Sequence, residues 1–309
     1  MDLQFLGTGA GVPSKTRNTQ SFVFNFMQDL HECWMFDCGE ATQHQILRTT
    51  IKPTKISRIF ISHMHGDHIL GLIGFLSSRS FLLAEDASPM IIYGPKGIKD
   101  FVTFNLNATR TTLAYKVDFV EFFDKQCIIN NKKVSVYTYP LKHQVDSYGF
   151  KIVFSDEVGS LKVDKLKELG INPGPFYKQI KENETFEYLG KIYNSSDYLT
   201  EKKKGKSISI IPDTVYFNEL KDFVKNSEIL ITECTYLQSK DSGLARRNTH
   251  LSIEDVKELA VEEKLQKIFL THISARYTRE DEQNAISSIN EINNECEVIV
   301  AKDLDLYNL

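Results

Sequence analysis

Short runs of β-branched, aliphatic and aromatic residues recur along the chain and predict its strands. The predicted strands are 3–7, 21–26, 34–37, 58–62, 90–94, 117–123, 133–139, 150–154, 207–211, 229–233, 267–271 and 297–301. Stretches in which apolar residues recur with helical spacing lie around 67–81, 96–106, 217–226, 252–265 and 279–293. The strands come in clusters separated by helices. This favours an α/β fold of two sheets packed between helical layers over a barrel or a single doubly wound sheet.

The segment 160–206 breaks this pattern. It is rich in Lys, Asn and Tyr, is interrupted by Pro173-Gly174-Pro175, and ends in a run of lysines. Its apolar residues are spaced too thinly to bury much surface. We therefore expect an excursion from a single domain that spans 1–309, with small helices of its own. The alternative is a solvated insertion loop, which most segments of this kind form.

Composition places the chain among soluble globular proteins, with 41% hydrophobic and 25% charged residues in a length of 309. No run of eighteen or more apolar residues is present, so we expect no membrane partner. The first residues, MDLQFLGTGAG, lack the features of a signal peptide, and we expect a cytoplasmic protein. Five cysteines without a CxxC pair support neither a disulfide framework nor a cysteine zinc site.

Charge is distributed unevenly along the chain. A net charge of −4, if it were spread evenly, would argue against a polyanionic partner. Residues 160–206, however, hold ten lysines against seven acidic residues, which leaves −7 on the remainder. The lysines of this segment can neutralise phosphates, which gives a reason to expect RNA as the partner.

The strongest chemical signal is the stretch FISHMHGDHILGL at 60–72. His63 and His65 lie two residues apart, so on an extended segment both side chains project to the same side. Asp67 and His68 follow a glycine at which the chain turns into a helix, and they can reach a neighbouring position. The pattern H-x-H-x-D-H therefore suits two adjacent metals, and imidazole with carboxylate favours zinc or another first-row cation.

A strand, a turn and a helix cannot complete two metal sites alone. Further candidate ligands follow predicted strands or precede a predicted helix, at places where the ends of loops converge. These candidates are His143, Asp213, His250 and His272. A lone histidine in such a place is usually an ordinary loop residue, but six of the eight histidines of the chain occupy these positions.

With these residues in place, the sequence resembles the metallo-β-lactamase superfamily and, within it, the ribonuclease Z family. The resemblance runs along essentially the whole chain. It is carried by FLGTGAGVPSKTRNTQS at 5–21, DCGEATQHQI at 37–46, HMHGDHILGL at 63–72, INPGPFYKQIK at 171–181, IPDT at 211–214, TECT at 232–235, THLS at 249–252 and THISARY at 271–277. The histidine motif alone indicates only the superfamily. The PSKTRN loop and the Gly-Pro segment indicate ribonuclease Z of the short form.

The resemblance implies an αββα metallo-β-lactamase sandwich with a protruding arm at 160–206 that binds tRNA. It also implies two Zn²⁺ per subunit. One ion would be held by His63, His65 and His143, the other by Asp67, His68 and His272, with Asp213 between them. The implied reaction is endonucleolytic removal of the 3′ trailer of precursor tRNA, leaving a 3′-hydroxyl, by two-metal phosphodiester hydrolysis.

Catalytic roles are expected for three residues. Asp67 lies among the ligands and is suited to orient the bridging water or to take its proton. Protonation of the leaving 3′ oxygen falls in the family to a histidine and a glutamate, which match His250 and Glu233. The stretch TECT departs from the family's His-Glu-Ala-Thr at two positions but keeps the glutamate.

Substrate-binding roles are expected from the resemblance for Lys15 and Arg17 in the PSKTRN loop, which would lie near the mouth of the site and monitor the tRNA 3′ end. Arg276 would hold a phosphate, and Gly174 and Pro175 belong to the arm. The resemblance further implies a homodimer.

Two other functions remain open. A metal pair hydrolyses lactams, thioesters or phosphodiesters, so the chain could be a superfamily hydrolase of small phosphodiesters or thioesters. A tRNA-binding module with a decayed catalytic site is the second alternative, and the complete ligand set argues against it.

Overall fold

The computed structural model describes residues 1–83, 87–156, 158–202, 204–262 and 264–309. These form two compact units. The large unit comprises Met1–Asn131, Ser135–Ile152 and Ser207–Leu309, and the small unit comprises Lys132–Val134 and Val153–Lys206.

Sixteen strands and ten α-helices occur in the described residues. The strands are β1 Asp2–Gly7, β2 Ser21–Phe26, β3 Glu32–Phe36, β4 Ile56–Phe60, β5 Ala87–Pro95, β6 Tyr115–Phe122, β7 Cys127–Asn130, β8 Val134–Leu141, β9 Ser147–Phe154, β10 Thr185–Tyr188, β11 Lys191–Asn194, β12 Ser207–Ile211, β13 Ile229–Glu233, β14 Lys267–Thr271, β15 Glu297–Val300 and β16 Leu306–Asn308. The helices are α1 Thr42–Ile46, α2 Gly66–Ile69, α3 Leu72–Ser80, α4 Ile98–Ala108, α5 Val163–Glu168, α6 Phe176–Glu182, α7 Leu220–Val224, α8 Ser242–Arg247, α9 Ile253–Ala260 and α10 Arg279–Asn290.

The large unit contains two seven-stranded sheets. The first has the order β16-β1-β2-β3-β4-β5-β6, antiparallel from β16 to β3 and parallel from β3 to β6. The second has the order β15-β14-β13-β12-β9-β8-β7, with parallel pairing from β12 to β15 and antiparallel pairing of β7 with β8. Both sheets are mixed, as predicted.

Aromatic side chains fill the layer between the two sheets. Phe22, Phe36, Phe60 and Tyr93 lie opposite one another on four neighbouring strands, and their rings stack at 4.7–5.3 Å between centroids. Phe150 of the second sheet meets this ladder edge-on, 5.5 Å from Phe36. Stacked and edge-to-face pairs of this kind add to the energy of burial.

Aliphatic clusters cover the outer face of each sheet. On the first sheet, Met35 and Ile92 pack with Leu72 and Phe75 of α3. On the second sheet, side chains of β12 to β15 pack with α7, α9 and α10. Helix α9 follows its N-cap Ser252, which forms a reciprocal capping box with Asp255. The predicted order of helix, sheet, sheet, helix is therefore confirmed.

Several elements differ from the sequence-based expectation. The helix predicted at 67–81 is two helices, α2 and α3, because Gly71 interrupts it. A Cβ at Gly71 would lie 2.0 Å from the carbonyl oxygen of Gly39, and the Gly71 amide donates to the carbonyl of Cys38 at 2.9 Å. The short strands β7, β10, β11 and β16 and the short helices α1 and α8 were not predicted. These elements have three to six residues each, which is too few for a periodic pattern to be recognised.

The small unit has a core of its own, which corrects the expectation that its apolar residues bury little surface. Leu166, Ile171, Ile180 and Phe186 are buried together, and partly buried side chains of two helices and the β10–β11 hairpin surround them. Phe186 lies at the centre, with Tyr193 stacked 5.4 Å away. The tyrosines of this segment pack against the same core and are partly buried: Tyr177, Tyr188, Tyr193 and Tyr198.

None of the helices in the described part of the chain has the length and apolar character needed to span a bilayer.

Candidate metal centre

Four strands of the large unit deliver chemistry-bearing side chains to one end of the sandwich. His63 and His65 follow β4, His143 follows β8, Asp213 follows β12 and His272 follows β14. Each lies one to five residues beyond the carboxyl end of its strand. This is the end at which open α/β folds assemble their sites.

The first half of the centre contains three imidazoles and one carboxylate oxygen. Nδ1 of His65 lies 3.2 Å from Nε2 of His63 and 3.1 Å from Nε2 of His143. Oδ2 of Asp213 lies 3.6 Å from Nε2 of His63 and 3.8 Å from Nε2 of His143. Four donor atoms thus converge on one point.

The second half uses the other oxygen of the same aspartate. Oδ1 of Asp213 lies 3.5 Å from Nε2 of His68 and 3.4 Å from Nε2 of His272. Oδ2 of Asp67 lies 3.5 Å from Nε2 of His68 and 3.3 Å from Nε2 of His272. The structure therefore brings all seven predicted ligand residues together, with Asp213 facing both halves.

The unsatisfied atoms of this cluster fit a pair of cations. Nε2 of His68 and Oδ1 of Asp213 are buried, and neither makes a well-directed hydrogen bond to any described residue. Such atoms are costly to bury unless they have a partner. Nitrogen and carboxylate donors in sets of four are those that zinc and similar divalent cations take. The residues present thus suit one cation in each half.

Outer partners fix the orientation of the imidazoles. Nδ1 of His68 lies 2.8 Å from Oδ2 of Asp37, and Nδ1 of His143 lies 2.9 Å from the carbonyl oxygen of Thr249. Partners of this kind set the ring orientation and tautomer of metal-binding histidines. Sequence reasoning assigned no role to Asp37 or Thr249, although both lie in segments that carry the family resemblance.

Three residues of the centre hold a left-handed backbone without being glycine. The φ angles are +53° at Asp37, +57° at Thr249 and +56° at His272. Such conformations cost on the order of 1–3 kcal/mol each and persist where surrounding structure imposes them. Their concentration around the imidazoles indicates that the backbone is strained in order to aim these side chains.

A glutamate and a histidine outside the two donor sets form a linked pair. Glu233 is fully buried and accepts hydrogen bonds from the Thr214 amide at 2.8 Å and the Thr235 hydroxyl at 2.7 Å. Nδ1 of His250 lies 3.1 Å from Oε1 of Glu233. Burial acts to lower the pKa of His250, but the Glu233 carboxylate outweighs it and raises that pKa to about 9.

Burial and charge set different ionisation preferences in the cluster. Burial lowers the pKa of His63 well below its usual value, and the neighbouring His68 adds to this effect. Burial also acts against the charged form of His68, but Asp213 and Asp37 raise its pKa well above the usual value. For Asp213, the burial that would raise its pKa is outweighed by histidines, His272 first, which hold it well below its usual range. Asp213 is therefore an anionic donor.

The cluster opens into a cleft of about 310 Å³. His250 and Asp67 lie on its wall beside Tyr236 and Ser274. Arg276 is exposed, with its guanidinium 5.3 Å above the Tyr236 ring and its Nε donating to the Ser274 hydroxyl at 3.2 Å. The Arg276 side chain therefore contacts two residues of the cleft wall.

Arg17 does not face the solvent, unlike its neighbour Lys15, which is exposed. Its side chain is only 9% exposed. Nη1 donates to the Thr8 hydroxyl and to the Ala301 carbonyl, both at 2.6 Å, and Nη2 forms an ion pair with Glu282 at 2.6 Å. A guanidinium held in this way is not available to a phosphate or a base, so the predicted substrate contact of Arg17 is wrong.

Gly174 and Pro175 belong to the small unit and are exposed. Pro175 precedes the first residue of α6, where its fixed φ favours the start of a helix. The Gly174 carbonyl accepts the Tyr177 amide at 3.0 Å.

Similar proteins of known family extend these observations. The family model described as Anti-Pycsar protein Apyc1 matches residues 1–159. Ribonuclease Z of Oceanobacillus iheyensis is 48% identical over 293 residues, which cover 94% of this chain and 95% of that protein. Human tRNase Z, short form, has a TM-score of 0.69 at 24% identity, covering 100% of this chain and 99% of that chain. The metallo-β-lactamase fold protein YhfI from Bacillus subtilis has a TM-score of 0.66 at 16% identity, with coverages of 99% and 98%. The two structures confirm the predicted sandwich.

Proposed function

We infer that this chain, which belongs to the ribonuclease Z family, is an endoribonuclease that processes the 3′ ends of precursor tRNA with the help of bound metal. The observation that carries the inference is the pair of donor sets that share Asp213 in a chain 48% identical to a ribonuclease Z. Cleavage removes the trailer and leaves a 3′-hydroxyl on the tRNA.

We propose two Zn²⁺ per subunit. His63, His65 and His143 would hold the first, and Asp67, His68 and His272 the second, with one oxygen of Asp213 turned to each. When bound, such a pair supplies Lewis-acid activation of water and neutralises charge on the phosphate.

Three side chains of the cleft perform the proton transfers in this proposal. Asp67, whose Oδ2 accepts the Gly11 amide at 2.9 Å, orients the attacking water or takes its proton. His250, held by Glu233, gives a proton to the 3′ oxygen as the bond between that oxygen and phosphorus breaks. Glu233 positions the imidazole of His250 and does not face the substrate, because it is fully buried.

Recognition of tRNA is proposed to involve the exposed Lys15 and Arg276 of the large unit and the lysines of the arm, 160–206, which includes Gly174 and Pro175. Seven arm lysines are exposed in the part of the chain that the structure describes. Exposed lysines attract the phosphate backbone whatever its sequence, and their effect falls as salt rises.

The direct test is incubation of the purified protein with a precursor tRNA, with and without a chelator. We expect cleavage at the 3′ end, loss of cleavage on chelation and its return with Zn²⁺. Elemental analysis should find two zinc ions per chain. Sequencing of the product end should show a 3′-hydroxyl. A protein that binds cations but leaves the precursor intact would disprove the function, and one that binds no cation would support a decayed tRNA-binding module.

We further propose a homodimer that meets through α1 and α3. Leu47 and Leu82 are 79% and 59% exposed and line a groove of about 310 Å³, beside Phe81, which is 90% exposed. Apolar side chains exposed together in this way are typical of association surfaces. Light scattering should give twice the chain mass of 35.4 kDa, and Leu47→Glu should give a monomer. A wild-type monomer would contradict the proposal.

A further inference from the structure

We propose that Arg17 is a positioning residue for the second half of the metal centre, acting through residues 8–11, and that it leaves the first half unaffected. The inference rests on the proposed binding of two cations. It replaces the substrate contact that the sequence suggested for Arg17 with a role inside the protein.

Arg17 joins three parts of the chain that are distant in sequence. Its guanidinium contacts the Thr8 hydroxyl, the Ala301 carbonyl and the Glu282 carboxylate. Asp303 holds Thr8 as well, because its Oδ1 accepts a hydrogen bond from the Thr8 hydroxyl at 2.7 Å. Thr8 is therefore fixed from two sides by buried or partly buried groups.

The segment that Thr8 begins runs beside the residue after His272. The Ile273 amide donates a hydrogen bond to the Thr8 carbonyl at 2.8 Å. The Ile273 carbonyl accepts one from the Ala10 amide at 3.2 Å. Gly9 and Ile273 form a parallel bridge between these bonds. His272 has a left-handed backbone, so the position of Ile273 bears directly on the direction of its side chain, which the Thr235 hydroxyl also contacts at 2.9 Å.

The next residue along the segment reaches Asp67. The Gly11 amide donates to Oδ2 of Asp67 at 2.9 Å, and this oxygen is the one that faces His68 and His272. Gly11 has a φ of +68°, a conformation that glycine adopts without strain. One short segment thus holds two of the three residues specific to the second half.

The first half is held by different groups. His63 contacts the Ser62 hydroxyl at 2.9 Å, and His143 contacts Thr249. No hydrogen bond joins residues 8–11 to His63, His65 or His143 in the described chain. Loss of Arg17 should therefore weaken the binding of the cation in the second half and leave the binding of the cation in the first half unchanged.

The test is a cation titration of the metal-free protein, with zinc bound per chain measured by equilibrium dialysis and elemental analysis. Wild type should bind two. Arg17→Gln should bind one as before and the other about 10-fold more weakly, the lower end of the range for a group that contacts a ligand directly, because Arg17 acts through residues 8–11. Arg17→Lys should recover part of this affinity, because an ammonium restores the charge but cannot make the three contacts of the guanidinium.

Arg58→Gln is the matched control. Arg58 also forms a partly buried ion pair, at 2.7 Å to Glu32, but its other contacts are Tyr93 and the Trp34 ring. It should bind both cations with wild-type affinity. If Arg17→Gln does not fold, Glu282→Ala, which removes one of the three contacts, should give a smaller weakening of the binding of the same cation.

A double-mutant cycle identifies which cation is affected. In a His272→Ala background, Arg17→Gln should not weaken the remaining cation further. In a His65→Ala background, Arg17→Gln should lower the affinity for the remaining cation, which is that of the second half. Equal weakening of both cations by Arg17→Gln, or of neither, would overturn the inference. A wild-type protein that binds fewer than two cations would instead refute the proposed cofactor.

Discussion

The large and small units differ in what they bury. The large unit encloses ionisable side chains, and His63, His68, Asp213 and Glu233 are each at most 2% exposed. The small unit buries apolar residues around Phe186, and no charged residue among those described in it is buried. Buried charges are costly and persist where they serve chemistry, whereas exposed lysines cost little and attract phosphates. The difference fits the proposal that the reaction takes place in the large unit and that the small unit adds phosphate-attracting lysines to Lys15 and Arg276 of the large unit.

This division can be tested with two substrates, a precursor tRNA and the small diester bis(p-nitrophenyl) phosphate. Changes in the large unit should affect the chemical step. Changes in the small unit should affect only the tRNA.

The largest effect is expected for His68→Ala. This change removes a donor of the second half and takes from the buried Asp37 its histidine partner, which leaves only Ser62, among the residues described, in hydrogen-bond contact with that carboxylate. Hydrolysis of both substrates should fall by at least about 100-fold, because even the outer partners of a metal ligand are worth up to that much in metal affinity or activity. His31→Asn, on an exposed histidine outside the centre, is the control and should leave both rates unchanged. A loss of tRNA cleavage without a loss of small-diester hydrolysis would contradict the assignment of His68 to the chemical step.

Glu233→Gln should reduce kcat for tRNA cleavage by about 100-fold or more, the usual range for general acid–base groups. The KM for tRNA should not change. Nitrophenolate leaves without protonation, so hydrolysis of the small diester should stay within a few-fold of wild type. Glu258→Gln, on an exposed side chain, is the control. Equal losses with both substrates would argue against proton delivery to the leaving oxygen.

Phe186→Ala should unfold the small unit locally. Loss of a buried phenylalanine costs about 3–5 kcal/mol, and a unit of about 60 residues is only marginally stable. Limited proteolysis should then cut within 153–206, the KM for tRNA should rise, and small-diester hydrolysis should persist. Ile192→Ala, which is 76% exposed in the same unit, is the control. Unchanged tRNA processing after local unfolding would refute the arm's role.

The smallest effect is expected from neutralising exposed lysines of the small unit. Lys165, Lys167 and Lys181 changed together to Gln should raise the KM for tRNA several-fold. The log–log dependence of KM on salt should also flatten by about three, one for each lost phosphate contact. The control variant changes Lys96, Lys99 and Lys225 of the large unit to Gln. It should have little effect on the KM for tRNA or on its salt dependence. If both triple variants behave alike, the attraction is a property of the whole surface.

Periodicity predicted the sandwich because its central strands are continuous apolar runs that are buried on both faces. SFVFNF and KIFLT occur as β2 and β14 with the predicted bounds. The seven donor residues were predictable because each follows a strand or lies within one dense motif. Gly71 shows the limit, since its interruption of a helix depends on a contact with Gly39, which the local pattern does not contain.

Arg17 marks a different limit. An arginine in a loop that follows Gly and Pro residues is expected at the surface, but its ion-pair partner Glu282 lies 265 positions away in the chain. The left-handed backbone of Thr249 could not be predicted either, because β-branched residues rarely adopt this conformation and the neighbouring sequence gives no sign of it. Both features are products of tertiary contacts.

Trp34 gives the protein a built-in spectroscopic reporter. It is the only tryptophan in the sequence, and it lies buried in the large unit between Phe26 and Phe60. The small unit has no tryptophan but is rich in tyrosine. During denaturation, selective excitation of the indole would follow the large unit alone, and tyrosine absorbance would include the small unit. One sample would then reveal whether the two units melt together or in succession.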